Sequence, residues 1–287
     1  MHFDSATKAH ASVWQALDTV WSAMVPYHNE ERVLERTIAS LAAQSERPFL
    51  LLIDNASTDR SAEVARRACA DHGIDALHLA ETRPGKVAAL QCGLGRVTTP
   101  YVATCDADTI YPADYFARAS RILDRPDVVA GVAAYCHAHA SPRTARLAGW
   151  RMALTARLLP QQCLNGGAGQ VFRTAALKAC GGFDPAIWNW VLEDHEIMAR
   201  IERHGRIAYD PAFVCHPETR ARAIDCTGWN LGEQLRYHAT RSDRRVGYFH
   251  QFLAPRLHER ALQSDALRRP AAGAANARSA SVRATGA

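Results

Sequence analysis

The sequence has 287 residues, 48% of them apolar and 22% charged, and carries a net charge of +5. That is enough chain for one large α/β domain or two small ones, and it excludes a wholly disordered or fibrous protein. The mild basicity suits an anionic substrate such as a nucleotide diphosphate, or an anionic membrane surface, without demanding either.

From the N-terminus, residues 1–20 read as a short helical lead-in, with Val13, Ala16, Leu17 and Val20 at helical spacing. A regular alternation follows. Apolar runs at Trp21–Pro26, Phe49–Asp54, Ala76–Ala80, Tyr101–Asp106 and Val128–Tyr135 predict strands. Amphipathic stretches at Glu31–Gln44, Ser57–His72, Gly85–Arg96 and Pro112–Leu123 predict helices, with Ser57 capping the second. Strand–helix alternation implies an α/β fold, a mostly parallel, Rossmann-like central sheet flanked by helices. In such sheets ligands bind at the carboxyl ends of the strands, where strand order reverses. Three strand ends carry polar clusters: Tyr27-His28-Asn29-Glu30, Asp54-Asn55, and Asp106-Ala107-Asp108.

Past Ala140 the rhythm changes. A helix is expected over Pro142–Leu159, then the glycine cluster Gly166-Gly167-Ala168-Gly169, a strand into Phe172, and helices over Val191–His204 and Trp229–Ser242. Residues 21–135 read as a ligand-binding half and 136–265 as a second half, with helices of its own, that packs onto the same sheet as the far wall of one cleft. Residues 266–287 read as a disordered tail, because they hold almost no large apolar side chain. Eight cysteines without a Cys-x-x-Cys pair, no signal-like segment and no long apolar run predict a cytoplasmic protein without a transmembrane span. Arg236, Arg241, Arg244 and Arg245 beside Tyr248, Phe249 and Phe252 read either as a face touching the inner side of a membrane or as a solvated basic helix.

Two carboxylates one residue apart on a turn leaving a buried strand, Asp106 and Asp108, can share one hard cation. Oxygen ligands suit Mg²⁺ or Mn²⁺, which complete their shell with substrate phosphates and water. Glu193-Asp194 at a helix start offers a carboxylate for proton abstraction, or simply favours the helix dipole. His216 after an apolar run reads as a metal ligand or a packed imidazole. Gly167 and Gly169 permit close backbone approach to a sugar, or form a strand-entry loop. Trp188 and Trp190 offer rings for stacking on an acceptor sugar, or core packing.

Taken together, Val25-Pro26-Tyr27-His28-Asn29-Glu30-Glu31, Ile53-Asp54-Asn55-Ala56-Ser57-Thr58-Asp59, Pro84-Gly85-Lys86, the Asp-x-Asp turn, Gly181-Gly182-Phe183-Asp184 and Glu193-Asp194 resemble the family 2 glycosyltransferases. The resemblance covers residues 21 to 217 and implies an inverting, metal-dependent enzyme of GT-A fold. The implied substrates are a nucleotide-diphosphate sugar, UDP by default, and a saccharide, lipid or small-molecule acceptor. It implies that Pro26, Tyr27, Glu30, Asp54, Asn55, Lys86, Asp106 and Ala107 border the nucleotide sugar. Asp108 and His216 are then the metal ligands, Asp194 the general base with Glu193 beside it, and Gly167, Gly169, Trp188 and Trp190 the acceptor side. Processive members carry Gln-x-x-Arg-Trp; Glu233-Gln234-Leu235-Arg236-Tyr237 departs from it, which favours transfer of one sugar. A sugar-1-phosphate nucleotidyltransferase would place glycines and a cation after the first strand, where Pro26–Glu30 has neither. A non-catalytic nucleotide-sugar binder is the other alternative. A dinucleotide-binding enzyme would need Gly-x-Gly-x-x-Gly there.

Overall fold

Every residue of strand β1 (Trp21–Tyr27) is buried, as expected of a strand covered on both faces. In the computed structural model, which describes residues 19–136, 141–159, 162–218 and 228–266, this strand is the centre of the molecule. The expected lead-in helix (1–18) and tail (from 267) lie outside the described residues. β1 pairs in parallel with β2 (Phe49–Asp54) on one side and β4 (Tyr101–Thr104) on the other. β2 pairs in turn with β3 (Ala76–Ala80). The large sheet runs β3-β2-β1-β4-β8-β6-β9, with β6 Val128–Val132, β8 Gln170–Arg173 and β9 Arg206–Ala208. β8 is antiparallel to both β4 and β6. It enters between two strands of the first half, so the two sequence halves share one sheet. The order reverses at β1, and Tyr27, Asp54 and Thr104 end the three strands there.

Side-chain alternation splits the core. Trp21, Ala23, Val25 and Tyr27 face one apolar cluster, joined by helices α1 (Leu34–Ala42), α2 (Ser61–Asp71) and α4 (Tyr115–Leu123). Met24, Leu51 and Ile53 face the other, with α3 (Lys86–Leu94), α6 (Thr174–Ala179) and α7 (Glu193–Ile201). The predicted helices Glu31–Gln44 and Ser57–His72 are shorter than their apolar patterns. Ser57 does not cap α2, because Ala56 takes a left-handed φ of 57° and the chain loops until Ser61. The Ser57 hydroxyl instead accepts the Asn29 amide at 3.1 Å.

A small sheet, β5 (Thr109–Ile110), β10 (Val214–Pro217) and β7 (Ala134–Tyr135), closes the far side of the strand ends. Helix α5 (Pro142–Leu158) lies beyond it. Near the C-terminus, α8 (Leu231–Ala239), α9 (Arg245–Gly247), a π-turn Tyr248–Leu253 and α10 (Ala254–Glu259) pack a third cluster around Trp188 and Phe249. Arg245, expected on a basic surface, is buried and pairs with Glu202 at 2.6 Å. The seven described cysteines are free thiols. Among the described residues, no helix is long and apolar enough to cross a membrane.

α7 is tied to the turn before it through Arg200. Arg200 donates to Glu196 on the same helix (2.7 and 2.9 Å) and to the Cys180 and Gly182 carbonyls (2.7 and 2.8 Å). Glu196 thus orients a guanidinium that links the Cys180–Gly182 turn to the helix that carries Glu193 and Asp194. Replacing Arg200→Met leaves the Glu196 carboxylate, 1% exposed, facing only His250. The expected cost is about 3–5 kcal/mol in urea denaturation; a loss below about 1 kcal/mol would show that the pair does not anchor the helix.

Candidate active site

The carboxyl ends of the central strands are stitched together by short polar side chains. Asn55 is 1% exposed. Its amide donates to the Glu81 and Arg83 carbonyls at 3.0 and 2.7 Å and accepts the Gly85 amide at 2.9 Å. Those bonds bring the loop before α3 onto the end of β2 and present Lys86. Asp59 accepts the Glu31 and Ser61 amides, tying the β1 loop to the start of α2.

The Asp106–Asp108 turn is fixed from three directions. Thr37 donates to the Ala107 carbonyl at 2.9 Å, and the Glu218 amide donates to that of Asp108 at 2.9 Å. The buried Tyr111 hydroxyl accepts the Asp106 amide at 3.0 Å and donates to the Ala168 carbonyl at 2.8 Å. Thr104 donates to the Gly167 carbonyl at 2.7 Å. The acidic turn and the glycine loop are thus one unit.

Opposite them, α7 begins after Leu192, whose φ of 64° is left-handed. Lys86 Nζ lies 2.8 Å from Asp106 Oδ1 and 3.4 Å from Glu193 Oε1. Burial works against the Lys86 ammonium, but Asp106, Glu193 and Asp194 outweigh it and raise its pKa, so it stays charged. Burial pushes the Glu193 carboxyl up, with Lys86 opposing. Burial also acts on Asp194, yet the His195 imidazole, its hydrogen bond and Lys86 prevail and hold that carboxyl below the usual range. The His195 ring and amide both meet Asp194 Oδ1 at 2.8 Å. Oδ2 faces Gly166, where a Cβ would sit only 2.7 Å away. Glycine is required there by the approach of the carboxylate.

His216 lies on β10, in register with Ile110 of β5. The Glu218–Asp108 backbone bond extends this pairing, so Asp108 is diagonal to His216 across the two strands. His216 Nδ1 sits 3.0 Å from the Cys136 carbonyl. A carbonyl only accepts, so Nδ1 carries the proton and Nε2 keeps its lone pair, as a metal-ligating imidazole requires. Among the described residues no three His, Cys, Asp or Glu side chains converge as a ready-made metal cluster. The donor set on offer, a carboxylate and an imidazole, fits a Mg²⁺ or Mn²⁺ that takes its remaining ligands from phosphate and water.

The chain matches the model of glycosyl transferase family 2 over residues 22–181, more than half its length. It belongs to that family. The undecaprenyl-phosphate 4-deoxy-4-formamido-L-arabinose transferase of Edwardsiella ictaluri is 30% identical over 115 residues, 38% of this chain and 35% of that protein. An uncharacterised glycosyltransferase of Mycobacterium bovis is 35% identical over 111 residues, covering 38% of this chain and 47% of the relative. The chain spans between a third and a half of these curated relatives in the matched region. Among solved structures, a mannosyltransferase of Pyrobaculum calidifontis in complex with GDP-Man and Mn²⁺ superposes with a TM-score of 0.61 at 20% identity, covering 97% of this chain and 87% of that one. The glucosyl-3-phosphoglycerate synthase of Mycobacterium tuberculosis in complex with Mn²⁺, UDP-glucose and phosphoglyceric acid gives 0.52 at 17% identity, covering 85% and 81%. At those identities the likeness establishes the GT-A fold.

The chain gathers Lys86, Asp106, Gly167, Glu193 and Asp194 at one place; other expected site residues are turned away from it. Tyr27 points into the core beneath α1 and α2, and Ala107 is 5% exposed in the same cluster. The Asn55 side chain is likewise engaged, by loop backbone. Pro26 is buried within β1. Gly169 backs onto Ala133 and Cys215 rather than the cleft. Trp188, 2% exposed, packs on Phe249, and Trp190 lies against His258 with a backbone bridge to Gln263. Trp229 lies edge-on to the His195 imidazole at 4.9 Å. Sequence reading missed His195, Tyr111 and Trp229; adjacency to Asp194 was the only signal for the first. It also missed Leu262–Asp265, where the Ser264 amide bonds the Asn189 carbonyl and its side chain lies where a Gly85 Cβ would fall.

His195→Ala is expected to raise the Asp194 pKa, read by carboxyl ¹³C NMR titration. The depressed carboxyl contributes stability that is present above about pH 4 and lost as pH falls through its folded value. The variant should lose part of that contribution. An unmoved titration would remove His195 from control of Asp194.

Proposed function

We propose that this glycosyltransferase moves a single sugar from a nucleotide-diphosphate sugar, UDP-linked by default, to an acceptor hydroxyl with inversion at the anomeric carbon. The observation that carries the reading is Lys86, paired at once with Asp106 on the donor strand and Glu193 at the start of α7. Donor-side and acceptor-side groups therefore meet within one ion-pair length.

Asp54, Glu30 and the Pro26 backbone border the nucleoside, and Asp106 takes the ribose. Asp194 receives the acceptor proton on Oδ2 while His195 holds Oδ1 and fixes the carboxylate's orientation. Its low pKa keeps it ionised, and the left-handed turn at Leu192 aims it at the glycine loop. Glu193, protonated more readily, serves as a partner of Lys86 rather than as the base. Lys86 lies beside the diphosphate. Three carboxylates against one ammonium make a poor seat for a diphosphate, which supports a divalent cation held by Asp108 and His216. When bound, such an ion offsets charge developing on the departing diphosphate. The Mn²⁺ and nucleotide sugars named with the solved neighbours support the same reading. A relative named for an undecaprenyl-phosphate substrate supports glycoconjugate or cell-envelope synthesis, with lipid among the candidate acceptors.

Thermal-shift screening of UDP-, GDP- and dTDP-sugars with and without Mn²⁺ tests the donor. Asp108→Ala is expected to abolish Mn²⁺-dependent stabilisation by the nucleotide; retained stabilisation removes Asp108 from metal binding. Asp194→Asn is expected to keep donor binding and reduce turnover by roughly 10²–10⁴-fold. A rate within about twofold of the parent would assign the proton to another group.

A further inference from the structure

We propose that helix α5 docks the protein onto an anionic lipid bilayer. This goes beyond the transfer chemistry above and does not depend on it. In an ordinary surface helix the large apolar side chains face the core. In α5 the arrangement is reversed. Leu147, Trp150, Leu154 and Leu158 are 60%, 61%, 58% and 74% exposed. At about 100° per residue they fall within one sector of about 80°, an outward stripe running most of the helix. The inward face buries Gly149 and Met152. Gly149 approaches the Pro211 backbone so closely that a Cβ would stand 1.8 Å from its carbonyl oxygen. That contact locks the rotation of the helix and keeps the stripe outside.

Charge selects the occupant. The helix has four arginines, Arg143, Arg146, Arg151 and Arg157, all exposed, and no acidic residue across its 17 positions. By the same helical spacing Arg146 and Arg157 flank the stripe on one side, Arg151 flanks it on the other, and Arg143 stands at its N-terminal end. Leucines and a tryptophan between arginines form an in-plane interfacial helix: apolar side chains enter the acyl boundary while guanidiniums reach lipid phosphates. A second copy of this chain stacked face to face would oppose eight arginines with no carboxylate from either helix. The docked helix also lines a cavity of about 350 Å³ whose wall includes Tyr135, Leu164 and Asn165. The Tyr135 hydroxyl accepts the Ala168 amide of the glycine loop. The helix that carries the stripe is therefore also a wall of a cavity that reaches a residue bonded to the glycine loop.

The test is co-sedimentation of the full chain with vesicles of phosphatidylcholine alone or mixed with phosphatidylglycerol, at low and high salt. The parent protein is expected to sediment with the mixed vesicles and to be released by salt. Trp150→Glu/Leu154→Glu and Arg146→Glu/Arg157→Glu, all at exposed positions, are each expected to weaken partitioning on the order of tenfold or more, with thermal unfolding unchanged. Failure of the parent to bind mixed vesicles overturns the proposal, as does parental binding by both double variants. A lipid-free dimer in analytical ultracentrifugation that Trp150→Glu/Leu154→Glu dissolves assigns the stripe to a second copy and also overturns it. Partitioning is read without turnover, so loss of the transfer reading leaves this result standing, and the reverse.

Discussion

A single partly buried ammonium among carboxylates is the constraint on which the rest of this structure depends. Lys86 cannot sit between Asp106 and Glu193 unless three segments far apart in sequence are held to within an ion-pair distance. Asn55 folds the loop that starts α3 onto β2. Thr37 and Tyr111 set the acidic turn. Arg200 and Glu196 anchor α7 against the Gly181-Gly182 turn. Each is a buried polar group with its partners satisfied, the condition under which such groups specify a unique arrangement rather than weaken it.

The same constraint divides two neighbouring carboxyls into different states. Glu193 and Asp194 differ by one position, yet burial raises the first while His195 lowers the second. Lys86 acts on both carboxyls, but only Asp194 also meets the His195 ring and amide. The difference is a consequence of the left-handed residue Leu192, which turns the start of α7 so that consecutive side chains face different partners.

Much of the architecture was legible because period and punctuation carry it. The runs Phe49–Asp54 and Ala76–Ala80 coincide with β2 and β3, and the acidic turn follows a strand end as its flanking apolar run implied. What was illegible was direction. β1 is buried on both faces, so no polar alternation reveals that Tyr27 faces the core while its carbonyl meets Asn55. Trp188 and Trp190 are indistinguishable from ligand-stacking residues until the C-terminal helices, some sixty positions on in the chain, are seen to cover them. The insertion of β8 between β4 and β6 is a long-range pairing with no local signature. Gly166 and Gly169 look alike in sequence, but one yields to a carboxylate and the other to a strand.

Tyr111 gives the site its scale. One phenol oxygen accepts the amide that leads the acidic turn and donates its own hydrogen bond to the carbonyl inside the glycine loop. Two loops from different halves of the chain therefore share a spacer of fixed length, and neither can advance or retreat without the other. The gap between the acidic turn and the glycine loop behaves like the opening of a caliper whose jaws are riveted to one ring.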